Sequence, residues 1–156
     1  MTLRIATCRP LPEPDVDENL LLEALRSAGI DAQMVAWQEA DWRQPAPTVI
    51  RSTWDYIHDP EAFLRWATDV AAHSALWNPL EVIRGNLHKR YLIELEAREV
   101  PVTPTMLLEC AQCVDIRSQC AARGWRDIVV KPAVGAGSFE THRVEDRKST
   151  RLNSSH

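Results

Sequence analysis

The chain has 156 residues, 45% of them hydrophobic and 26% charged, with a formal net charge of −4. That composition is globular, sufficient for one domain or two small α/β layers, and far from that of a disordered chain. The acidic balance gives no electrostatic case for nucleic acid or an anionic membrane surface, and no apolar run approaches bilayer length.

The N-terminus "MTLRIATCRP" passes straight into a strand pattern with no signal-peptide layout, so a cytoplasmic protein is expected. Residues 3–8 have strand character, and a Pro-rich loop follows. Asp15 stands three residues before Glu18, the capping-box spacing, and Leu21, Ala24, Leu25 and Ala28 make a helical stripe that Gly29 stops. Residues 32–37 and 48–52 are the next strand candidates, the latter running into "RSTWDY". Asp59-Pro60 supplies an N-cap and a proline at the first helical position, with Phe63, Trp66, Ala67, Val70 and Ala71 on one face. A short strand at 75–77, with Trp77 expected in the core, completes a βαβ…βαβ pattern typical of a parallel sheet covered by helices.

Breakers at Asn78-Pro79 and Gly85-Asn86 mark the end of this first unit. The order then becomes a helix from Asn86, a strand over 100–108, a helix over 109–123, a strand over 127–131, a loop, and a strand over 138–144. That is α+β in style. Cys110, Cys113 and Cys120 share one face of the helix expected at 109–123, which favours buried apolar thiols over a zinc or redox pair. His58, His73 and His142 have no companions suggesting a triad or a metal site.

Residues 146–156, "DRKSTRLNSSH", show no apolar periodicity. Back-translated in frame, they resemble a widely used short-read sequencing adapter. They are read as an assembly scar on a chain cut off mid-gene, and are set apart from the fold.

The stretch "DIVVKPAVGAGS" carries the chemistry. A Rossmann fingerprint needs its glycines after the first strand with a third glycine three residues on, and a Walker loop needs Gly-Lys-Ser/Thr; neither is present, which also disfavours an NAD-linked oxidoreductase. A phosphate cradle fits the order of elements, with a buried strand expected to deliver Lys131 at its end. Pro132 keeps Lys131 extended at the strand's end, and Gly135, Ala136, Gly137 and Ser138 let backbone N–H groups approach an anion. A surface hairpin with a snorkelling lysine is the plain alternative. In "NLHKRY", Asn86 reads as an N-cap followed by His88, Lys89 and Arg90. Cations in a first turn oppose the helix dipole, a conflict that an anion held there would offset and that salt screening would soften.

Together "NLHKRY…VPVTPT…IVVKPAVGAGS" resembles the start of the ATP-grasp superfamily fold. "RSTWDY" and "WNP" resemble its glutathione-synthetase-like branch, which includes the cyclo-ligase that closes O-ureido-D-serine to D-cycloserine. The likeness spans roughly residues 1–145. It implies a doubly wound parallel pre-ATP-grasp substrate domain at 1–79, then a truncated α+β first ATP-grasp subdomain at 80–145. It also implies an ATP- and Mg-dependent carboxylate–amine ligase acting through an acyl phosphate. Lys89 and Lys131 would grip the ATP phosphates and Gly135–Ser138 would form a flap; His88 departs from the aspartate many relatives carry before the first lysine. Arg51 would hold a substrate carboxylate and Asp55 an amine, although an Arg51–Asp55 surface pair, with Trp54 and Tyr56 in the core, reads equally well. Magnesium ligands and adenine contacts would lie in the family's C-terminal half, so this chain is expected to be inactive alone. A non-catalytic nucleotide-binding or regulatory module is the alternative function.

Overall fold

Four short strands form one parallel sheet in the order β2-β1-β3-β4: β1 (Leu3–Thr7), β2 (Ala32–Ala36), β3 (Thr48–Ser52) and β4 (Leu76–Trp77). The computed structural model describes residues 2–109 and 114–145. It divides into two compact units, Met1–His88 and Lys89–His156, and the parallel sheet belongs to the first. β1 pairs with β2 on one edge and with β3 on the other. The path leaves β1 for β2 on one side, then crosses to β3 and β4 on the other. Right-handed crossovers therefore place α1 (Glu18–Ser27) and α2 (Pro60–His73) on opposite faces of the sheet. This is the doubly wound α/β arrangement expected from the sequence.

Helix α2 starts as its sequence signals dictate. The Asp59 carboxylate accepts the Ala62 N–H at 2.8 Å, and Pro60 opens the helix. Its apolar face buries Phe63, Trp66, Ala67 and Val70, while Ala71 is exposed. These side chains meet Ala6, Cys8, Trp37 and Trp42 in one aromatic core, closed by Ile83 of α3 (Leu80–Leu87). Trp37 stands edge-on to Phe63 at 5.4 Å, and Trp42 edge-on to Trp66 at 5.2 Å. Edge-to-face pairing of ring quadrupoles adds about 0.5–1.5 kcal/mol per pair beyond area burial.

Three local expectations for this unit are corrected. Asp15 does not cap α1; Asp17 stands at the N-cap without a side-chain bond, because Asp15 is taken by Arg51. The α1 stripe is half-buried at Leu21, Leu22 and Leu25, with Ala24 and Ala28 exposed, and no residue of the helix is fully buried. Gly29 does stop it, at φ +75°, with the Ile30 N–H reaching back to Leu25 O at 2.9 Å. Trp77 is 63% exposed rather than core, since β4 is a two-residue edge strand.

The second unit contains α4 (Tyr91–Glu96), α5 (Ile116–Ala122) and an antiparallel hairpin of β5 (Asp127–Val130) and β6 (His142–Glu145). The helix expected from Asn86 is split. Asn86 lies inside α3, His88 is extended at φ −112° and ψ 131°, and α4 begins only at Tyr91. Residues 100–108 join no strand, because Pro101 and Pro104 lack the N–H a ladder requires. The helix expected at 109–123 starts at Ile116, where Asp115 accepts the Ser118 N–H at 3.2 Å. The strand expected at 138–144 begins only at His142, since residues 138–141 form a turn. Cys110, Cys113 and the tail at 146–156 lie outside the described residues. Among the described residues, no helix is long and apolar enough to cross a membrane.

Candidate functional site

The second unit contains a pocket of about 230 Å³ lined by Lys89, Lys131 and the run Gly135-Ala136-Gly137-Ser138. Both lysines singled out in the sequence are therefore at one cavity, and among the described residues no carboxylate lines it. Lys131 follows the last residue of β5, exposed at the mouth of the hairpin; β5 itself is mostly exposed, not the buried strand expected. Lys89 arrives from the segment between α3 and α4 and is half-buried. Its N–H donates to Ala133 O at 2.8 Å, and its Nζ donates to Gly135 O at 3.2 Å. Burial, and secondarily the charge of Lys131, lower the Lys89 pKa from its ordinary value. Two lysine ammonium groups at one pocket, with no carboxylate among its described lining residues, make an arrangement able to attract an anion.

Arg90 does not join them, because its guanidinium pairs with Glu109. Lys89 precedes a six-residue helix rather than sitting in its first turn, so the dipole conflict read from "NLHKRY" does not arise here. What converges on the pocket is side-chain charge and loop backbone.

The two glycines of the loop have different reasons. Gly137 sits at φ +55°, which strains any residue with a Cβ. Gly135 has no such constraint; a Cβ there would lie 3.5 Å from Lys89 Nζ, an ordinary contact. Ser138 and Glu140 also adopt positive φ, 60° and 45°. Left-handed backbone at each of these non-glycine residues costs roughly 1–2 kcal/mol.

The first unit carries the other two residues singled out in the sequence, and they take different partners. β3 is bulged against β1: Ala6 pairs with Ile50 and Thr7 with Ser52, leaving Arg51 as the extra residue. A bulge re-aims a side chain, and Arg51 meets Asp15 through Nε and Nη2, both at 3.0 Å. Ser52 Oγ adds a bond to the same carboxylate at 2.5 Å. The bonds from Arg51 and then Ser52 hold the Asp15 pKa down at about 2. The guanidinium fork is therefore already filled by Asp15, and the Arg51–Asp55 pair does not form. Asp55 instead accepts Trp37 Nε1–H at 2.7 Å and a bond from Gln38 Nε2. It lines a separate pocket of about 500 Å³ with Trp37, His58, Asp59 and Trp66, at the C-terminal ends of β2 and β3. Tyr56 packs against the core beside Phe63, and Trp54 is half-buried.

Sequence reasoning passed over one signal that was in plain view. The chain has three lysines, Lys89, Lys131 and Lys148, and uses arginine for its other basic residues. Two of the three converge on one loop, a placement that solubility alone does not require. The Asp15–Arg51–Ser52 cluster was hidden because it joins segments 36 residues apart through a bulge.

Residues 3–78 match the family described as "D-cycloserine synthetase DcsG, N-terminal domain". Over 136 residues the chain is 35% identical to the cycloserine biosynthesis protein DcsG of Streptomyces lavendulae, covering 84% of this chain and 46% of that protein. It is similar to the crystal structure of D-cycloserine synthetase DcsG at a TM-score of 0.83 and 33% identity, covering 94% of this chain and 51% of the other. A RimK domain ATP-grasp protein from Sphaerobacter thermophilus DSM 20745 shares the fold at a TM-score of 0.66 and 20% identity, over 95% of this chain and 57% of its own. The chain thus spans about half the length of the relatives it matches. Residues 3–78 are thus similar to the DcsG N-terminal domain, and the chain has the α/β fold of the corresponding part of an ATP-grasp protein.

Proposed function

We propose that the chain is the N-terminal part of an ATP- and Mg-dependent ligase that joins a small carboxylate to an amine, within one amino-acid-like molecule as in D-cycloserine formation. The observation that carries this reading is the meeting of Lys89 and Lys131 at the Gly135–Ser138 loop in a pocket with no carboxylate among its described lining residues. The pocket fits a polyphosphate: Lys131 is free to approach from the hairpin mouth, Lys89 lies deeper, and the small residues leave backbone within reach. ATP, when bound, supplies the phosphoryl group that activates the carboxylate. The residues of this chain bind and orient it, while the magnesium ligands are expected in the segment the longer relatives add.

In the first unit, Asp55 is proposed to face the amine end of the substrate from its pocket beside Trp37. Arg51 keeps a role in carboxylate binding only through the guanidinium edge that Asp15 leaves open. The chain alone is proposed not to turn ATP over. A nucleotide-binding or regulatory module without chemistry would use the same two lysines, so the longer protein's turnover separates these readings.

The test is calorimetric titration of ATP into the chain. Lys131→Ala should weaken binding by about tenfold or more, near 1.4 kcal/mol, with the circular dichroism unchanged. Equal affinity in the variant would remove Lys131 from the site.

A further inference from the structure

Lys89 touches the glycine loop twice from outside the hairpin. Its backbone N–H holds Ala133 O at 2.8 Å and its ammonium holds Gly135 O at 3.2 Å, so one residue staples both ends of a three-residue stretch. Within the rest of the loop, two local turns are closed by Phe139 N–H to Ala136 O at 3.0 Å and Thr141 N–H to Ser138 O at 3.1 Å. Between them the backbone carries positive φ at Gly137, Ser138 and Glu140. A loop with two non-glycine residues in the left-handed region keeps that shape only while its surroundings hold it there.

We propose that Lys89 is the positioning residue of this loop, and that an entering phosphate reshapes the loop by taking the Lys89 ammonium from the Gly135 carbonyl. The proposal rests on the phosphate reading of the pocket and adds to it a coupling between binding and loop conformation. A neutral carbonyl at 3.2 Å is a weaker acceptor than a phosphate oxygen, whose charge-assisted bond is shorter and roughly twice as strong. The exchange therefore runs toward the anion. The Gly135 carbonyl then turns to solvent, and the constraint that keeps Ser138 and Glu140 at positive φ is lifted. Lys131 has a different part: it is exposed at the mouth of the hairpin and attracts the anion without setting the loop's shape.

The experiment is amide hydrogen exchange by NMR at Phe139 and Thr141 in the whole chain, with and without inorganic tripolyphosphate. Without ligand, Lys89→Met should speed exchange at both amides by about fivefold or more, whereas the charge-matched Lys131→Met should leave them within about twofold. Lys89→Ala, which likewise removes the ammonium donor while keeping the backbone donor, serves if the methionine variant disturbs α5, whose amides report the fold. In the wild type, saturating tripolyphosphate should produce the same acceleration. Unchanged exchange in the Lys89 variants would overturn the positioning role. Tripolyphosphate binding, seen by calorimetry, with no change at Phe139 and Thr141 would overturn the coupling. Absence of any binding would overturn the phosphate reading and the coupling with it, while the ligand-free arm would still decide whether Lys89 positions the loop.

Discussion

The first unit buries an aromatic core between a parallel sheet and the helices α2 and α3, whereas the second, among its described residues, buries Cys120 alone. In the first unit, stability comes from Phe63, Trp66, Trp37 and Trp42 packed together, strongly enough that the buried indole N–H groups of Trp42 and Trp66 go without a hydrogen-bond partner among the described residues. In the second, Val129, Val130, Val144 and Phe139 stay 40–58% exposed, and order is concentrated where Lys89 ties down a loop. The difference separates two ways of fixing a shape: burial of apolar surface, which tolerates no lost volume, and a few directed bonds, which tolerate no lost donor.

The largest effect should come from breaking the core. Phe63→Ala should cost the first unit about 3–5 kcal/mol in urea unfolding followed by tryptophan fluorescence. A loss under about 1 kcal/mol would mean that the rings are not packed as described. Next is the Asp15 clamp. Asp15→Asn should cost roughly 1–2 kcal/mol near neutral pH. The folded pKa of about 2 lies below the ordinary 3.8, so the carboxylate's contribution is present above pH 4 and is lost as pH falls toward 2. The gap between wild type and variant should close over that interval, and a gap that persists at pH 2 would assign the effect to packing.

Smaller effects sharpen the second unit. Gly137→Ala must take φ +55° with a Cβ and should cost about 1 kcal/mol, while Gly135→Ala, which meets only ordinary contacts, should cost less. Thermal melts of the two variants check the order. The reverse order would show that closeness to Lys89, not backbone strain, governs the loop.

How legible each region was follows from the same contrast. Periodicity with capping signals located α2 and its buried face, because Asp59-Pro60 and the stripe Phe63, Trp66, Ala67, Val70 act locally. The boundaries of β3 were readable for the same reason. Arg51's partner was not, since a bulge in β3 decides where that side chain points and no spacing in the sequence encodes it. In the second unit, Pro101 and Pro104 should have argued against a strand at 100–108, and did so only in the structure. Lys131 was singled out because it closes a β-branched run before a proline. That Lys89 reaches the same loop through an extended His88, rather than through a helix start, is a tertiary fact.

The most direct test of the central claim uses the scarcity of lysine. With lysine labelled at 13Cε, the chain should give three signals, one each from Lys89, Lys131 and Lys148. In the free chain, Lys89 should titrate below its ordinary 10.5, because burial and then the Lys131 charge favour its neutral form. Tripolyphosphate should shift the Lys89 and Lys131 signals together with one dissociation constant and raise the pH at which Lys89 titrates. Movement of Lys148 alone, or of all three in parallel without saturation, would contradict a phosphate site at the Gly135–Ser138 loop.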